Sequence, residues 1–154
     1  MDIIVTTPKS ERANAVREAS ACIADGGGRY FRRFPGLSLP RTGVRDRVYY
    51  VEDGYIRGFG VVTDMAHDGN GRLCSSTGRW WPKGLYLFMD AQSWTWIRPI
   101  PMRGFQGFRY AHYRYGGQET REWLTIDGKD WAVTEVGGWL DPKPATPDRK
   151  ETNP

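Results

Sequence analysis

Residues 47–65, RVYYVEDGYIRGFGVVTDM, form the part of the chain whose pattern is most typical of a single structure. Valines and tyrosines dominate its first half, and such β-branched and aromatic residues favour strands. Asp53 and Gly54 follow, a pair typical of two-residue hairpin turns. Gly58 and Gly60 stand two residues apart and therefore share one face of the returning strand. The stretch predicts a β-hairpin whose second strand bends sharply or is approached closely at its glycines.

Three further segments predict strands on either side of this hairpin. The run DIIVT at residues 2–6 is apolar and β-branched, which is typical of a buried first strand. LYLFMD at residues 85–90 and SWTWIRPI at residues 93–100 predict two strands joined by a short turn around Ala91 and Gln92. The prolines near the end of the second segment restrict it to an edge or an end of a sheet.

The C-terminal third predicts a second hairpin. REWLTIDGKDWAVTEV at residues 121–136 has Asp127 and Gly128 at its turn. The preceding GFQGFRYAHYRYGG at residues 104–117 is aromatic and basic, and the pattern leaves a strand and an extended loop both open. Residues 141–154 are polar and rich in proline, and they predict a disordered tail.

One helix is expected between the first strand and the central hairpin. It begins near Thr7 or Ser10, carries an apolar face, and ends at the three glycines of residues 26–28. Residues 29–46 predict a long loop, and residues 64–79 predict a polar connection. The resulting fold class is α+β: a single domain over residues 1–140, built as a small mixed β-barrel with one or two packed helices.

Composition narrows the function. The chain has 154 residues and a net charge of +4, and residues 29–115 carry fourteen basic against six acidic side chains, all but one of the fourteen being arginine. A basic centre of this kind favours a local anionic partner. Two unpaired cysteines, the lack of a targeting signal and the lack of a long apolar run favour a cytoplasmic protein with no membrane contact.

Several kinds of catalytic and cofactor site are disfavoured. The chain has no P-loop and no G-x-G-x-x-G motif. His67 and His112 are its only histidines, and their spacing fits neither a metal site nor a histidine-dependent triad. The sequence therefore predicts no metal and no cofactor.

The segment RWWPKGLYLFMDAQSWTWIRPIPMRGF at residues 79–105 holds four of the seven tryptophans. Strand alternation places Trp94, Trp96 and Arg98 on one half-covered face, while residues such as Leu85, Leu87 and Met89 are candidates for the core. Rings beside arginines suit stacked bases and phosphates, whereas core filling is the alternative for any single ring. The candidate nucleic-acid or base contacts are Trp80, Trp81, Lys83, Asp90, Gln92, Trp94, Trp96, Arg98, Arg103, Gln106, Arg109, Arg32 and Arg33.

The central hairpin, together with the four residues before it, resembles the PUA-like superfamily, which includes the ASCH, EVE and YTH domains. The positions that fit the family pattern are Val48, Tyr49, Tyr50, Ile56, Gly58, Gly60 and Val62. The resemblance covers roughly residues 1–115 and implies a pseudobarrel with a helix at its side. It also implies a cleft that binds RNA or modified bases in DNA. The spacing of Thr6, Thr7, Lys9 and Glu52 departs from the ASCH catalytic pattern, so no catalytic role is carried over.

Three functions remain open at this point. The first is a nucleic-acid-binding module that recognises RNA, DNA or a nucleotide, including a modified base. The alternative is a small ASCH-like hydrolase acting on a modified nucleoside or RNA, for which Lys9, Lys83 and Asp90 are the candidate groups. The third is a partner-binding subunit of a phage-like or bacterial assembly, since Trp, Tyr and Arg also dominate protein contacts. The sequence decides neither RNA against DNA nor the oligomeric state.

Overall fold

The computed structural model describes residues 1–7, 29–36, 39–73, 78–116, 121–137 and 143–147. In these residues the secondary structure consists of twelve strands and one 3-10 turn, Ala91–Ser93. The strands are β1 (Ile3–Thr6), β2 (Arg29–Phe34), β3 (Arg47–Glu52), β4 (Tyr55–Asp68), β5 (Arg72–Leu73), β6 (Trp80–Trp81), β7 (Gly84–Asp90), β8 (Thr95–Pro101), β9 (Phe108–Tyr110), β10 (His112–Tyr115), β11 (Glu122–Ile126) and β12 (Lys129–Ala132).

A seven-stranded sheet forms the body of the protein. Its order is β2-β7-β4-β3-β1-β9, and β8 pairs with β4 beside this path. The first half of β4 pairs with β3 along one edge and with β8 along the other, and its second half pairs with β7. Strand β1 runs parallel to β3, while the other pairs in this sheet are antiparallel. A single long strand thus joins both halves of the sheet.

Two smaller sheets complete the described structure. Strands β10, β11 and β12 form an antiparallel three-stranded sheet, and β5 pairs with β6 as a short ribbon. Both predicted hairpins are confirmed. Asp53 and Gly54 have φ angles of 58° and 81° between β3 and β4, and Asp127 and Gly128 have φ angles of 50° and 76° between β11 and β12. Positive φ at both central residues is what a type I′ turn requires.

Two hydrophobic cores lie on opposite faces of the main sheet. Strand β1 contributes to both, because Ile4 faces one core while Ile3 and Val5 face the other. The first core also contains Leu124 and Trp131 of the three-stranded sheet, so that sheet packs on this face. The second core contains Leu85, Leu87 and Met89, as predicted, together with Phe34, Val48 and Val62. The buried first strand is likewise confirmed.

The predicted α+β fold with a small β-barrel and packed helices is wrong. The described residues are nearly all sheet and contain no α-helix, and their strands do not close into a barrel. The two ends of the main sheet, β2 and β9, meet through side chains instead. The rings of Phe34 on β2 and Phe108 on β9 are 5.7 Å apart, and Arg32 of β2 donates to the carbonyl of Thr6 on the neighbouring β1 at 3.3 Å. The helix predicted from Thr7 or Ser10 to residue 25 lies outside the described residues, apart from Thr7.

The two predicted connections contain strands. The loop expected over residues 29–46 begins with β2, and the connection expected over residues 64–79 contains the end of β4, then β5 and β6. In β2, Tyr30 and Phe34 pack with the second core, but arginines separate them. An arginine can occupy a strand position because its apolar stem packs while its head finds acceptors. Because arginines occupy these positions, residues 29–34 do not show the alternation of apolar and polar residues that predicts a strand.

Part of the predicted tail is ordered. Ala145 is buried, and its N–H donates to the carbonyl of Pro99 at 2.7 Å. Pro147 forms an isolated bridge with Trp131. Residues 141, 142 and 148–154 lie outside the described residues.

Among the described residues, no helix has the length and apolar character needed to cross a bilayer.

The approach of β8 to Gly58 generates the first prediction. A Cβ atom at Gly58 would lie 2.5 Å from the backbone oxygen of Thr95 and 2.6 Å from Cζ2 of Trp94. Because a backbone atom cannot yield cheaply, Gly58→Ala is expected to lower the free energy of unfolding by about 1–3 kcal/mol. Urea unfolding measures this loss. Gly36→Ala is the matched control, since a Cβ there meets no atom within 4 Å. Equal stability of the two variants would contradict the packing.

Candidate functional site

The β5–β6 ribbon presents different residues on its two faces. Arg72 pairs with Trp81, and Leu73 pairs with Trp80. Cross-strand partners share a face of the ribbon. Trp81 lies 5.7 Å from Phe31, and the Arg72 guanidinium lies 4.5 Å from the ring centre of Phe88. Arg72 and Trp81 therefore face the sheet, which leaves Leu73 and Trp80 facing outward with 56% and 60% of their surfaces exposed.

The layer beneath the ribbon is an aromatic cluster on the outer face of β2 and β7. Phe31 contacts Tyr86 and Phe88 at ring distances of 5.1 and 6.1 Å. Tyr86 is completely buried, its hydroxyl donates to the Pro82 carbonyl, and burial raises its pKa. The ribbon is thus supported by closely packed rings.

Arg33 fixes the chain that leaves the ribbon. Its guanidinium donates to the carbonyl of Pro82 at 3.1 Å and to the carbonyl of Lys83 at 3.1 and 2.9 Å. These hydrogen bonds hold the backbone at Lys83, whose side chain is exposed. Arg33 therefore fixes the backbone that carries the exposed Lys83 side chain.

Two exposed cations, Arg79 and Lys83, flank Trp80 and Trp81 in the sequence. The Arg79 guanidinium lies 4.1 Å from the ring centre of Trp81, which is a cation–π contact. Arg72 is paired with Asp68 at 2.6 Å. We define the ribbon surface as the exposed residues of this unit, Leu73, Arg79, Trp80 and Lys83, of which Leu73 and Trp80 form the outward face of the ribbon. It combines a projecting ring, an apolar neighbour and two cations.

Trp94 and Trp96 belong to a different part of the molecule. Trp94 lies 5.2 Å from Trp96, 5.3 Å from Tyr50 and 6.4 Å from Tyr30. Tyr30 and Phe31 are consecutive in β2 and point to opposite faces, so the Trp94 cluster and the ribbon lie on opposite sides of that strand. The four tryptophans of residues 79–105 consequently do not converge on one cleft.

The Trp94 cluster is a packing unit. The indole covers Gly58, and the Tyr30 hydroxyl occupies the space above Gly60. The Trp94 Nε1 atom is buried and has no acceptor among the described residues. An indole held by ring contacts over two glycines fills the bend of β4, which accounts for the glycine spacing noted in the sequence.

A cleft of about 980 Å³ separates β8 from the three-stranded sheet. Phe59, Ile97 and Ala145 are its buried apolar residues. Arg98 and Glu135 are exposed on its lining. We call this feature the Arg98 cleft. The residues that line it are Arg47, Phe59, Thr95, Ile97, Arg98, Tyr115, Arg121, Glu122, Trp123, Ala132, Val133, Thr134, Glu135, Ala145, Thr146 and Pro147.

An ion pair builds one wall of the Arg98 cleft. Arg47 donates to both carboxylate oxygens of Glu122 at 3.0 Å and to the Tyr49 hydroxyl at 3.2 Å. Its guanidinium lies between the rings of Phe59 and Tyr113, 4.1 and 4.4 Å from their centres. Burial opposes ionisation of Arg47, but these hydrogen bonds outweigh it and raise its pKa. The hydrogen bonds from Arg47 lower the pKa of Glu122.

The structure thus distributes the predicted site residues over several places. Trp80, Trp81, Lys83 and Arg33 build the ribbon unit, Trp94 and Trp96 pack at β4, and Arg98 lines the cleft. Strand β8 pairs irregularly with β4 opposite residues 56–58, whereas around Ile97 it forms a regular antiparallel bridge with residues 134–136.

The remaining candidates lie at other positions. Asp90 accepts from the Gln92 N–H at 2.9 Å through its carboxylate and from the Ser93 hydroxyl at 2.7 Å through its carbonyl, as a turn-forming aspartate does. Gln92, Arg103, Gln106 and Arg109 are exposed, with Arg109 over the ring of Phe105 at 4.5 Å, and Arg32 bonds to the backbone of Thr6. Of the residues considered for a hydrolase, Lys9 lies outside the described residues and Glu52 is half-buried on β3.

Sequence reasoning missed Phe31, Arg72, Leu73 and Arg79 of the ribbon unit, and Trp123 of the cleft. A two-residue strand has no readable period, so β5 left no signal. The adjacent pair Trp80 and Trp81 did contain a signal. Consecutive strand residues face opposite ways, so one of the two rings had to face outward if the other was packed.

Comparisons of the chain with protein-family models, with curated proteins and with solved structures give no match. The resemblance to the PUA-like superfamily therefore rests on the hairpin motif alone. In the described residues, no group of three or more His, Cys, Asp or Glu side chains is arranged to hold a metal ion.

The Arg47–Glu122 pair generates a prediction of pH dependence. Because the folded pKa of Glu122 is lowered, its ionised form stabilises the protein above the unfolded pKa of about 4.3, and this contribution is lost as the pH falls through the folded pKa. Glu122→Gln is expected to cost about 1–2 kcal/mol at pH 7. The cost should shrink markedly at about pH 3.

Urea unfolding at both pH values measures this difference. Glu135→Gln serves as the control, because Glu135 is an exposed carboxylate on the same cleft. A cost for Glu122→Gln that does not change between the two pH values would contradict the assignment.

Proposed function

We propose that the protein is a nucleic-acid-binding module that holds single-stranded RNA or DNA on the ribbon surface. The observation that carries this proposal is Trp80. Its indole is 60% exposed on a ribbon that is packed from beneath. A large ring left in solvent on a supported element offers a flat face to a partner.

Stacking gives the first contribution to binding. A base stacked on an aromatic side chain contributes roughly 1–3 kcal/mol, and every base has such a face. Because Trp81, Phe31 and Arg72 hold the ribbon from below, little of this energy is lost in ordering it. Leu73 beside Trp80 widens the apolar platform.

Cations supply the second contribution. Arg79 and Lys83 are exposed on either side of Trp80 and Trp81 in the sequence, and phosphates are neutralised by such side chains. The excess of basic residues over acidic ones in residues 29–115 supports an anionic partner.

The shape of the ribbon surface favours single strands. Base faces are available for stacking only where a strand is unpaired, and a projecting indole has no access to them inside a duplex. A cytoplasmic location, which brings the protein together with RNA and DNA, is part of this proposal.

The stacking role predicts a loss of affinity in Trp80→Ala. Binding of labelled 12-mer oligouridylate and oligothymidylate, followed by fluorescence anisotropy at low salt, should weaken by about tenfold, equivalent to about 1.4 kcal/mol. Trp80→Phe should retain most of the affinity. Val44→Ala is the control, because Val44 is 53% exposed and belongs neither to the ribbon surface nor to the lining of the Arg98 cleft. If the wild type binds neither oligonucleotide at low salt, the proposed function is wrong.

The phosphate role predicts a change in salt dependence. Lys83→Gln removes one cation from the ribbon surface, so the slope of log affinity against log salt should fall by about 0.7. Lys129→Gln is the control, since Lys129 is an exposed lysine on β12. An unchanged slope for Lys83→Gln would remove this residue from the proposed contact.

A further inference from the structure

The Arg98 cleft holds polar groups that the fold itself leaves unused. The Arg98 side chain makes no hydrogen bond or ion pair with any described residue, although its backbone N–H donates to Thr134 at 2.7 Å. The Glu135 carboxylate on the same lining is likewise without a partner among the described residues. Both charges are therefore available to a molecule that enters the cleft.

Polar and apolar side chains share the lining of the Arg98 cleft, and its most deeply buried residues are apolar. Phe59 and Ile97 are buried there at 7% and 1% exposure, and Ala145 is buried beside them. Trp123 is half-buried on the lining. A flat ring system would find apolar contact at the accessible part of the Trp123 ring.

The walls of the cleft are preorganised. The Arg47 guanidinium is held by Glu122 on its edge and by two rings on its faces, so neither member of this pair is released for a ligand. The backbone of β8 is also committed, because the N–H of Arg98 and the carbonyl of Trp96 are bonded to Thr134 and Val136. A peptide strand cannot add at this edge, and a ligand must use side chains.

The volume of about 980 Å³ suits a small molecule of cofactor size. Three features must be matched at once: the half-buried indole of Trp123, a guanidinium and a carboxylate. A nucleotide matches them, because its base is flat, its phosphate pairs with an arginine, and the amino group of a base donates to a carboxylate. The hydroxyl groups of Thr134 and Thr146 on the lining are further donors for phosphate oxygens.

We propose that the Arg98 cleft is a binding site for a free nucleotide, with the base against Trp123 and the phosphate at Arg98. This site lies at β8 and the three-stranded sheet, whereas the ribbon surface lies on the outer face of β2 and β7. It stands independently of the proposed function, since no residue is shared between the two.

The test compares adenosine monophosphate with adenosine, using isothermal titration of the wild type, Arg98→Gln and Arg103→Gln. The wild type should bind the monophosphate at least tenfold more tightly than adenosine. Arg98→Gln should abolish that difference and leave adenosine affinity unchanged, and the exposed control Arg103→Gln should behave as the wild type does. Base protons of the bound nucleotide should show nuclear Overhauser effects to the ring protons of Trp123.

Three results would overturn the proposal. One is no binding of the monophosphate at about 10 mM, a concentration above that of ordinary specific affinities. The second is equal binding by the wild type and Arg98→Gln. The third is loss of monophosphate binding in Trp80→Ala, which would place the nucleotide on the ribbon surface. In the third case the proposed function survives while this inference fails. If instead the wild type binds the monophosphate but no oligonucleotide, this inference survives while the proposed function fails.

Discussion

The hydrogen bonding of β4 on both of its edges is the constraint on which the other elements depend. A strand has only two edges, and the fourteen residues of β4 give one to β3 and divide the other between β8 and β7. The division requires a change of direction within the strand, and its ladders are irregular near residues 56–58 and 62–64. Gly58 and Gly60 stand between these points, where the rings of Trp94 and Tyr30 leave no room for a Cβ.

This bend explains why β1 is buried on both faces. The half of the sheet formed by β2 and β7 turns over the second core, and the three-stranded sheet covers the first. Strand β1 lies between them and alternates its side chains to both. A strand that is buried on both faces requires a continuous apolar run, and the buried strands of parallel sheets have the same pattern. The ribbon surface then lies over the outer face of β2 and β7, and the Arg98 cleft lies between β8 and the three-stranded sheet.

The sequence was informative where local chemistry determines the structure. The two Asp-Gly turns are locally encoded, because their backbone conformation favours those residues, and the apolar runs of β1 and β7 are encoded by their composition. Whether the strands close into a barrel, and whether the tryptophans converge, depends on which distant segments pair with one another. No local pattern states that β7 and β8, adjacent in the chain, both pair with β4 rather than with one another. The ribbon unit was invisible for the same reason, since β5 has two residues and its partner strand begins at Trp80.

The structural roles of arginine explain why the basic composition of the chain did not by itself locate a candidate site. Arg33 binds backbone carbonyls, Arg47 is enclosed by a carboxylate and two rings, and Arg72 is paired with an aspartate over an aromatic ring. Each of these side chains stabilises the fold through a planar guanidinium that a lysine does not reproduce. The near-exclusive use of arginine in residues 29–115 is therefore as much a property of the core and its supports as of any anionic partner. Arg79, Lys83 and Arg98 are exposed, in contrast, so exposure rather than the total charge identifies the cations that an anionic partner could reach.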